Sequence, residues 1–174
     1  AVTEVLHSLG PVLEKHPDAF LVFGGDGQLL NTCKNLVSYL GIDTSVIFKG
    51  VISPTEFKTN LIHSVAFVQH SIKADNGDKE GTPVAILEAS AAGLPVISTF
   101  HAGIPDVIIH RETGLLCDEK DVNQMAKHMI KLLDNPELAK QMGINGKENI
   151  TNNFNLTRHI NRLNDILKNS ICNA

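Results

Sequence analysis

Glu80 and Glu88 stand eight residues apart, and between them runs Gly81-Thr82-Pro83-Val84-Ala85-Ile86-Leu87. Thr-Pro is a helix-opening pair, so Glu80 falls in a loop and Glu88 about two turns into the helix that follows. The first turn of that helix lies between the two carboxylates. Its unpaired N–H groups and the macrodipole favour an anion there. Pro83 carries no N–H, so Val84 and Ala85 are the expected donors. An anion flanked by two carboxylates suits a nucleotide sugar. One carboxylate accepts both hydroxyls of a ribose, the other accepts sugar hydroxyls, and the N–H groups hold the diphosphate. From Gly81 to Phe100, Glu88 is the only charged residue. A helix that is apolar almost all round reads as buried, so Glu88 is expected inside with compensating hydrogen bonds; the alternative is a solvent-facing stripe.

Other constellations carry less. Gly24-Gly25-Asp26-Gly27 has two readings, a phosphate cradle or a turn that needs positive φ. It is not a dinucleotide fingerprint, because Leu30 stands where the third glycine belongs. Eight histidines are scattered without a His-x3-His pair, and Cys33, Cys117 and Cys172 lie far apart, so no zinc site is expected. The cysteines read as free thiols in a reducing compartment. His101 falls in a loop on the ligand side of a sheet, and two roles stay open for it, contact with a sugar or a solvated loop histidine. Asp75 to Asp78 lacks EF-hand spacing and reads as a turn. Asn149-Ile150-Thr151 and Asn155-Leu156-Thr157 are chance sequons in a cytosolic chain. Neither a Gly-x-Ser-x-Gly nor a Walker sequence occurs.

The elements that must position the two carboxylates alternate. Short apolar runs ending near Phe23, Phe48, Val68, Ile97 and Leu116 are separated by helical patterns, the first being Val2, Val5, Leu6, Leu9, Val12 and Leu13. The third run is Val65 to Val68. Ser53, Thr82, Asn135 and Asn155 are the expected caps, and Leu156, Ile160, Leu163 and Leu167 share a face of the last helix. Strand-helix alternation predicts a doubly wound, mainly parallel α/β sheet of about five strands, Rossmann-like, with ligands at the carboxyl ends of its strands.

Composition agrees with a packed domain. The chain has 174 residues, which favours one domain over 1–174 and a core without staples. Its net charge of −4 and lack of a basic run exclude a nucleic-acid face. No apolar run reaches a membrane span's length, no signal peptide is visible, and a cytoplasmic location is expected.

Glu80 to Glu88, followed by Ala89-Ser90-Ala91-Ala92-Gly93-Leu94-Pro95-Val96-Ile97-Ser98-Thr99, resembles the Glu-x7-Glu segment of retaining glycosyltransferases of the GT-B fold, family 4 type. The likeness extends through Gly103-Ile104-Pro105-Asp106, where most relatives carry Glu, and Thr113-Gly114-Leu115-Leu116. Asn76-Gly77-Asp78-Lys79-Glu80-Gly81, with Ser98-Thr99-Phe100-His101 downstream, resembles members that build bacterial exopolysaccharides such as colanic acid. The resemblance implies the C-terminal, nucleotide-sugar-binding half of a two-domain enzyme. The first strand of that half, its basic pair and the N-terminal domain would lie outside this chain. It further implies Glu80 at the anomeric centre as the catalytic residue and Glu88 on the ribose. Gly81, Thr82, Val84 and Ala85 would surround the diphosphate, and Gly50 and Val51 the base. No metal or other cofactor is implied. The partners implied are the donor, a saccharide or lipid-linked acceptor, the enzyme's own N-terminal domain, and a peripheral inner-membrane contact through that domain. The competing readings are a non-catalytic α/β ligand-binding module and a nucleotide-sugar epimerase of the same fold.

Overall fold

A computed structural model describes residues 2–73, 77 and 81–172, of which residues 159 and 170–172 in backbone only. Glu80 and the Asp75–Asp78 turn, apart from Gly77, lie outside the described residues. Helix α1 (Val2–Lys15) buries the periodic Val5, Leu6, Leu9 and Val12 and stops ahead of Pro17. Strand β1 (Leu21–Gly24) and helix α2 (Leu30–Leu40) follow. Gly41 ends α2 in the left-handed region at φ 68°, returning its N–H to the Ser38 carbonyl. Then come β2 (Val46–Gly50), α3 (Pro54–Ile62), β3 (Phe67–Val68), α4 (Val84–Ala92), β4 (Val96–Thr99) and the short α5 (Ile104–Val107). Strand β5 (Gly114–Cys117) and helices α6 (Val122–Asp134), α7 (Pro136–Asn153) and α8 (Leu156–Cys172) complete the chain. Two caps work as the sequence predicts. Ser53 Oγ accepts the Glu56 N–H at 3.2 Å, and Asn155 Oδ1 accepts the Arg158 N–H at 2.8 Å. Asn135 does otherwise: its side chain donates back to the Lys131 carbonyl and closes α6 rather than opening α7.

Every strand pairing is parallel, and each strand ends within two residues of its expected position. The sheet is not one ladder of five, however. β1 pairs β2, with Leu21 opposite Val46, and β3-β4-β5 form a second ladder in which Ile97 stands opposite Leu115 and Thr99 opposite Cys117. β3 is shorter than expected, since Val65 is half exposed and only Phe67 and Val68 reach the pairing.

Side-chain alternation sorts the core. Ile97 and Leu115 join Leu6, Val37, Val46 and Met125 in a cluster under α1, α2 and α6 that also takes in β1 and β2. Their neighbours Val96 and Leu116 face the other way, toward Ile86 of α4 and Ile104 and Val107 of α5. Helices therefore cover both sheet faces, and both ladders share one helical layer. α7 backs α4 so closely that a Cβ at Gly143 would overlap the Gly93 carbonyl. On α8 the expected face is present but open, with Leu156, Ile160, Leu163, Ile166 and Leu167 all exposed. No helix among the described residues is long and apolar enough to cross a membrane.

Candidate functional site

α4 begins at the carboxyl edge of the three-stranded ladder. Its N-cap is Pro83 itself (φ −58°, ψ 128°), with no side chain capping the helix, so Thr82 does not fill the role expected of it. The Ile86 N–H returns to the Pro83 carbonyl at 3.0 Å. The N–H groups of Val84 and Ala85 open the first turn with no partner among the described residues, as an anion site requires. Glu88 corrects an expectation. It is exposed, on a stripe shared with Val84 and Ala91, because α4 turns Ile86, Ala89 and Ser90 to the core and leaves the opposite side open. Val84, though apolar, is 67% exposed.

The loop ahead of α4 is tied to the loop after β4. The Gly103 N–H donates to the Gly81 carbonyl at 3.1 Å, and any Cβ at Gly103 would collide with Thr82 Oγ1. A side chain at that position would have to displace the Thr82 hydroxyl. The β4 loop itself is tightly wound: the His101 N–H returns to the Thr99 carbonyl at 2.8 Å, and Ala102 lies at φ 44°, an uncommon place for a residue with a Cβ.

His101 is 2% exposed, which excludes the solvated reading. Its Nδ1 lies 2.7 Å from Glu119 Oε1, and the other oxygen of Glu119 accepts the Lys73 N–H at 3.0 Å. The imidazole and that N–H hold the Glu119 carboxyl below the usual carboxylate range. The next residue, Lys120, at φ 67°, donates its N–H to His70 Nε2 at 3.0 Å. Burial lowers the His70 pKa. Glu119 and His70 escaped the sequence reading. The signal available was position, since each stands just past the carboxyl end of a strand.

The remaining candidates gather at the end of the other ladder. Gly25 takes φ 133° and donates its N–H to the Gly50 carbonyl at 2.7 Å, and Gly50 itself lies at φ 65°. The glycine turn thus has the positive φ that one of its two readings called for, and it sits beside Gly50 and Val51. Val51 is 74% exposed. A hollow of about 320 Å³ opens here, lined by Phe23, Gly24, Gly25, Gly27, Leu29 and Cys33 among others. Gly50 and Val51 are therefore grouped with Gly24–Gly27, while Gly81, Thr82, Val84, Ala85 and Glu88 are grouped at α4.

Known proteins resemble this chain in sequence and in fold. A GDP-mannose-dependent alpha-(1-6)-phosphatidylinositol monomannoside mannosyltransferase from Mycobacterium tuberculosis is 33% identical over 143 residues, covering 81% of this chain and 37% of that protein. A putative colanic acid biosynthesis glycosyltransferase, WcaL, from Escherichia coli is 32% identical over 133 residues, 75% of this chain and 32% of that one. Among solved structures, a mutant of S. aureus TarM in complex with Fondaparinux, alpha-GlcNAc-glycerol and UDP superposes with a TM-score of 0.81 at 20% identity, over 92% of this chain and 32% of that chain. This likeness shows the expected α/β fold. The chain spans about a third of the length of each of these three. Residues 1–149 match the family model of the glycosyl transferases group 1, and the chain belongs to that family.

Proposed function

We propose that this chain is the donor-binding part of a retaining glycosyltransferase that takes a nucleoside diphosphate sugar at the N-terminus of α4. One observation carries the reading: the first turn of α4 opens uncapped at the carboxyl edge of a parallel ladder, with Glu88 on the same open stripe. In this reading the Val84 and Ala85 N–H groups hold the diphosphate beside Gly81 and Thr82. Glu88 accepts the ribose hydroxyls, and Gly50 and Val51 flank the base. Glu80 contacts the transferred sugar near its anomeric carbon. Departure of the diphosphate leaves charge on its oxygens, and a preorganised helix end stabilises it, so no metal or other cofactor is part of the proposal. One relative is named for GDP-mannose and a structural neighbour holds UDP, which supports a diphosphate-centred site whose base is read elsewhere.

The acceptor, a saccharide or a lipid-linked one, and any contact with the inner membrane belong in this proposal to the rest of a longer cytoplasmic protein. Two features support such a completion. The break between the ladders fits one further strand: the order β2-β1-strand-β3-β4-β5 is the doubly wound arrangement. The open apolar stripe of α8 fits a second domain.

Calorimetric titration of this chain with UDP, GDP and pyrophosphate tests the proposal. One nucleotide should bind with about millimolar affinity. Glu88→Gln should weaken it roughly tenfold to a hundredfold, the worth of a charge-assisted hydrogen-bond pair, with little change for pyrophosphate. Equal losses for nucleotide and pyrophosphate would remove Glu88 from the ribose, and no binding of either nucleotide would end the donor reading.

A further inference from the structure

His70 and His101 stand just past the carboxyl ends of the neighbouring strands β3 and β4, and each is more than nine-tenths buried. Each uses one ring nitrogen. The other, Nδ1 of His70 and Nε2 of His101, has no hydrogen-bond partner among the described residues and is shut off from solvent. Buried polar atoms are rarely left so, and each instance calls for an explanation.

The bonds that are made settle where the protons sit. Glu119 accepts, so His101 carries its proton on Nδ1, and in the neutral ring Nε2 is a bare acceptor. The Lys120 N–H donates, so His70 Nε2 is bare and Nδ1 carries the proton. With both rings neutral, one unpartnered atom is a donor and the other an acceptor. Both rings are anchored on consecutive residues of one turn, Glu119 and Lys120. Burial favours the neutral form of His70. A metal ion does not fit the pair, because a ligating Nδ1 on His70 would have to lose a proton that its Nε2 bond keeps there. An ammonium cannot accept, and a carbonyl cannot donate. A hydroxyl does both.

We propose that His70 and His101 form a site for one O–H group, which accepts from His70 Nδ1–H and donates to His101 Nε2. The site adjoins the start of α4, since the His101 loop is bonded through Gly103 to Gly81. Two residues of uncommon backbone adjoin the site, Ala102 directly after His101 and Lys120, whose N–H holds His70. The hydroxyl comes either from a bound water or from the sugar of the donor. Only the second source rests on the donor-site reading above.

Histidine-ring NMR on the isotope-labelled chain tests the proposal directly. At neutral pH both rings should carry the proton on Nδ1, and that of His70 should exchange slowly with solvent. In thermal unfolding, His70→Phe and His101→Phe should not add. Each single variant breaks its own anchor, to Lys120 or to Glu119, and both lose the same hydroxyl, so the double variant should lose clearly less than the sum of the two singles. GDP-mannose and UDP-glucose, each compared with GDP and UDP, then identify the source. Shifts in both rings with a sugar nucleotide beyond those with the nucleoside diphosphate assign the hydroxyl to the sugar; slow exchange unaltered by any nucleotide assigns it to water. A proton on His101 Nε2, or additive losses, would overturn the site. Absence of all nucleotide binding would sink the donor reading and leave the tautomers and the non-additivity standing.

Discussion

The two ladders are built from similar apolar runs and meet water differently. All four residues of β4 and all four of β5 are buried, whereas β1 is half-buried throughout and exposed at its end, and Ile47 of β2 is 44% exposed. The cause is cover. β4 and β5 have helices packed on both faces, down to backbone contact between α4 and α7. The tightly wound backbone and the buried histidines sit at the end of this rigid ladder, and the glycine turns and the open hollow sit at the end of the other. A site held to sub-ångström tolerance belongs on the better-packed support.

That contrast is easiest to break with glycines. Gly143→Ala drives a methyl into the Gly93 backbone, where no flexible side chain can yield, and should cost about 3 kcal/mol. Gly27→Ala meets nothing within 4 Å and needs no positive φ, so it should be neutral or stabilise by about 0.4–1 kcal/mol. Urea unfolding of both variants compares them. Similar losses would show that the two ladders are equally tight.

Acid should separate the ladders next. Burial lowers the pKa values of His70, His110 and His128, and all three border the β3-β4-β5 ladder: His70 follows β3, His110 bridges to Gly114, and His128 lies 3.1 Å from the Leu116 carbonyl. Unfolded, these rings take up protons near pH 6.5, and folded they resist until a lower pH. Their contribution to stability is thus complete above 6.5 and lost as the pH falls below it toward the folded values. Between pH 7 and pH 5, exchange protection should drop more at Ile97 and Leu115 than at Val22 and Ile47. The reverse order would place the acid-sensitive contacts in the wrong half.

The smallest effect concerns thiols. Burial, helped by the carboxylates of Asp121 and Asp118, pushes the Cys117 thiol up to about 11, and burial also raises Cys33. Iodoacetamide should spare both in the native chain, and with added urea should reach Cys33, beside the hollow, before Cys117 in β5. Earlier labelling of Cys117 would contradict the ranking of the ladders.

What could be read in the sequence was what local chemistry decides. Ser53 and Asn155 cap because their partners are three residues away, and strand ends showed where apolar runs met Gly24 and Gly50. The exposure of Glu88 could not be read, because an apolar pattern says that α4 has apolar neighbours and not on how many sides; Val84 matches the pattern and faces water. The break between the ladders depends on pairing between distant segments. So does the histidine site. The register that sets Thr99 opposite Cys117, carried two residues on, brings His101 to Glu119, and no spacing within either segment announces it. Glu80, placed by its motif in the loop before α4, lies outside the described residues, and its role stands as a proposal.

The seating of α1 on α6 has a consequence for the order in which the chain folds. Ser8 Oγ lies 3.0 Å from the Val122 carbonyl, across 114 residues of sequence, and α1 and α6 together roof the cluster shared by both ladders. A ribosome would release α1 long before its partner exists. Each parallel strand pair, by contrast, closes over one short crossover and can form as soon as its second strand emerges. The first ladder must therefore wait, half-roofed, until α6 is made, and its apolar face is the surface a chaperone would meet during that interval.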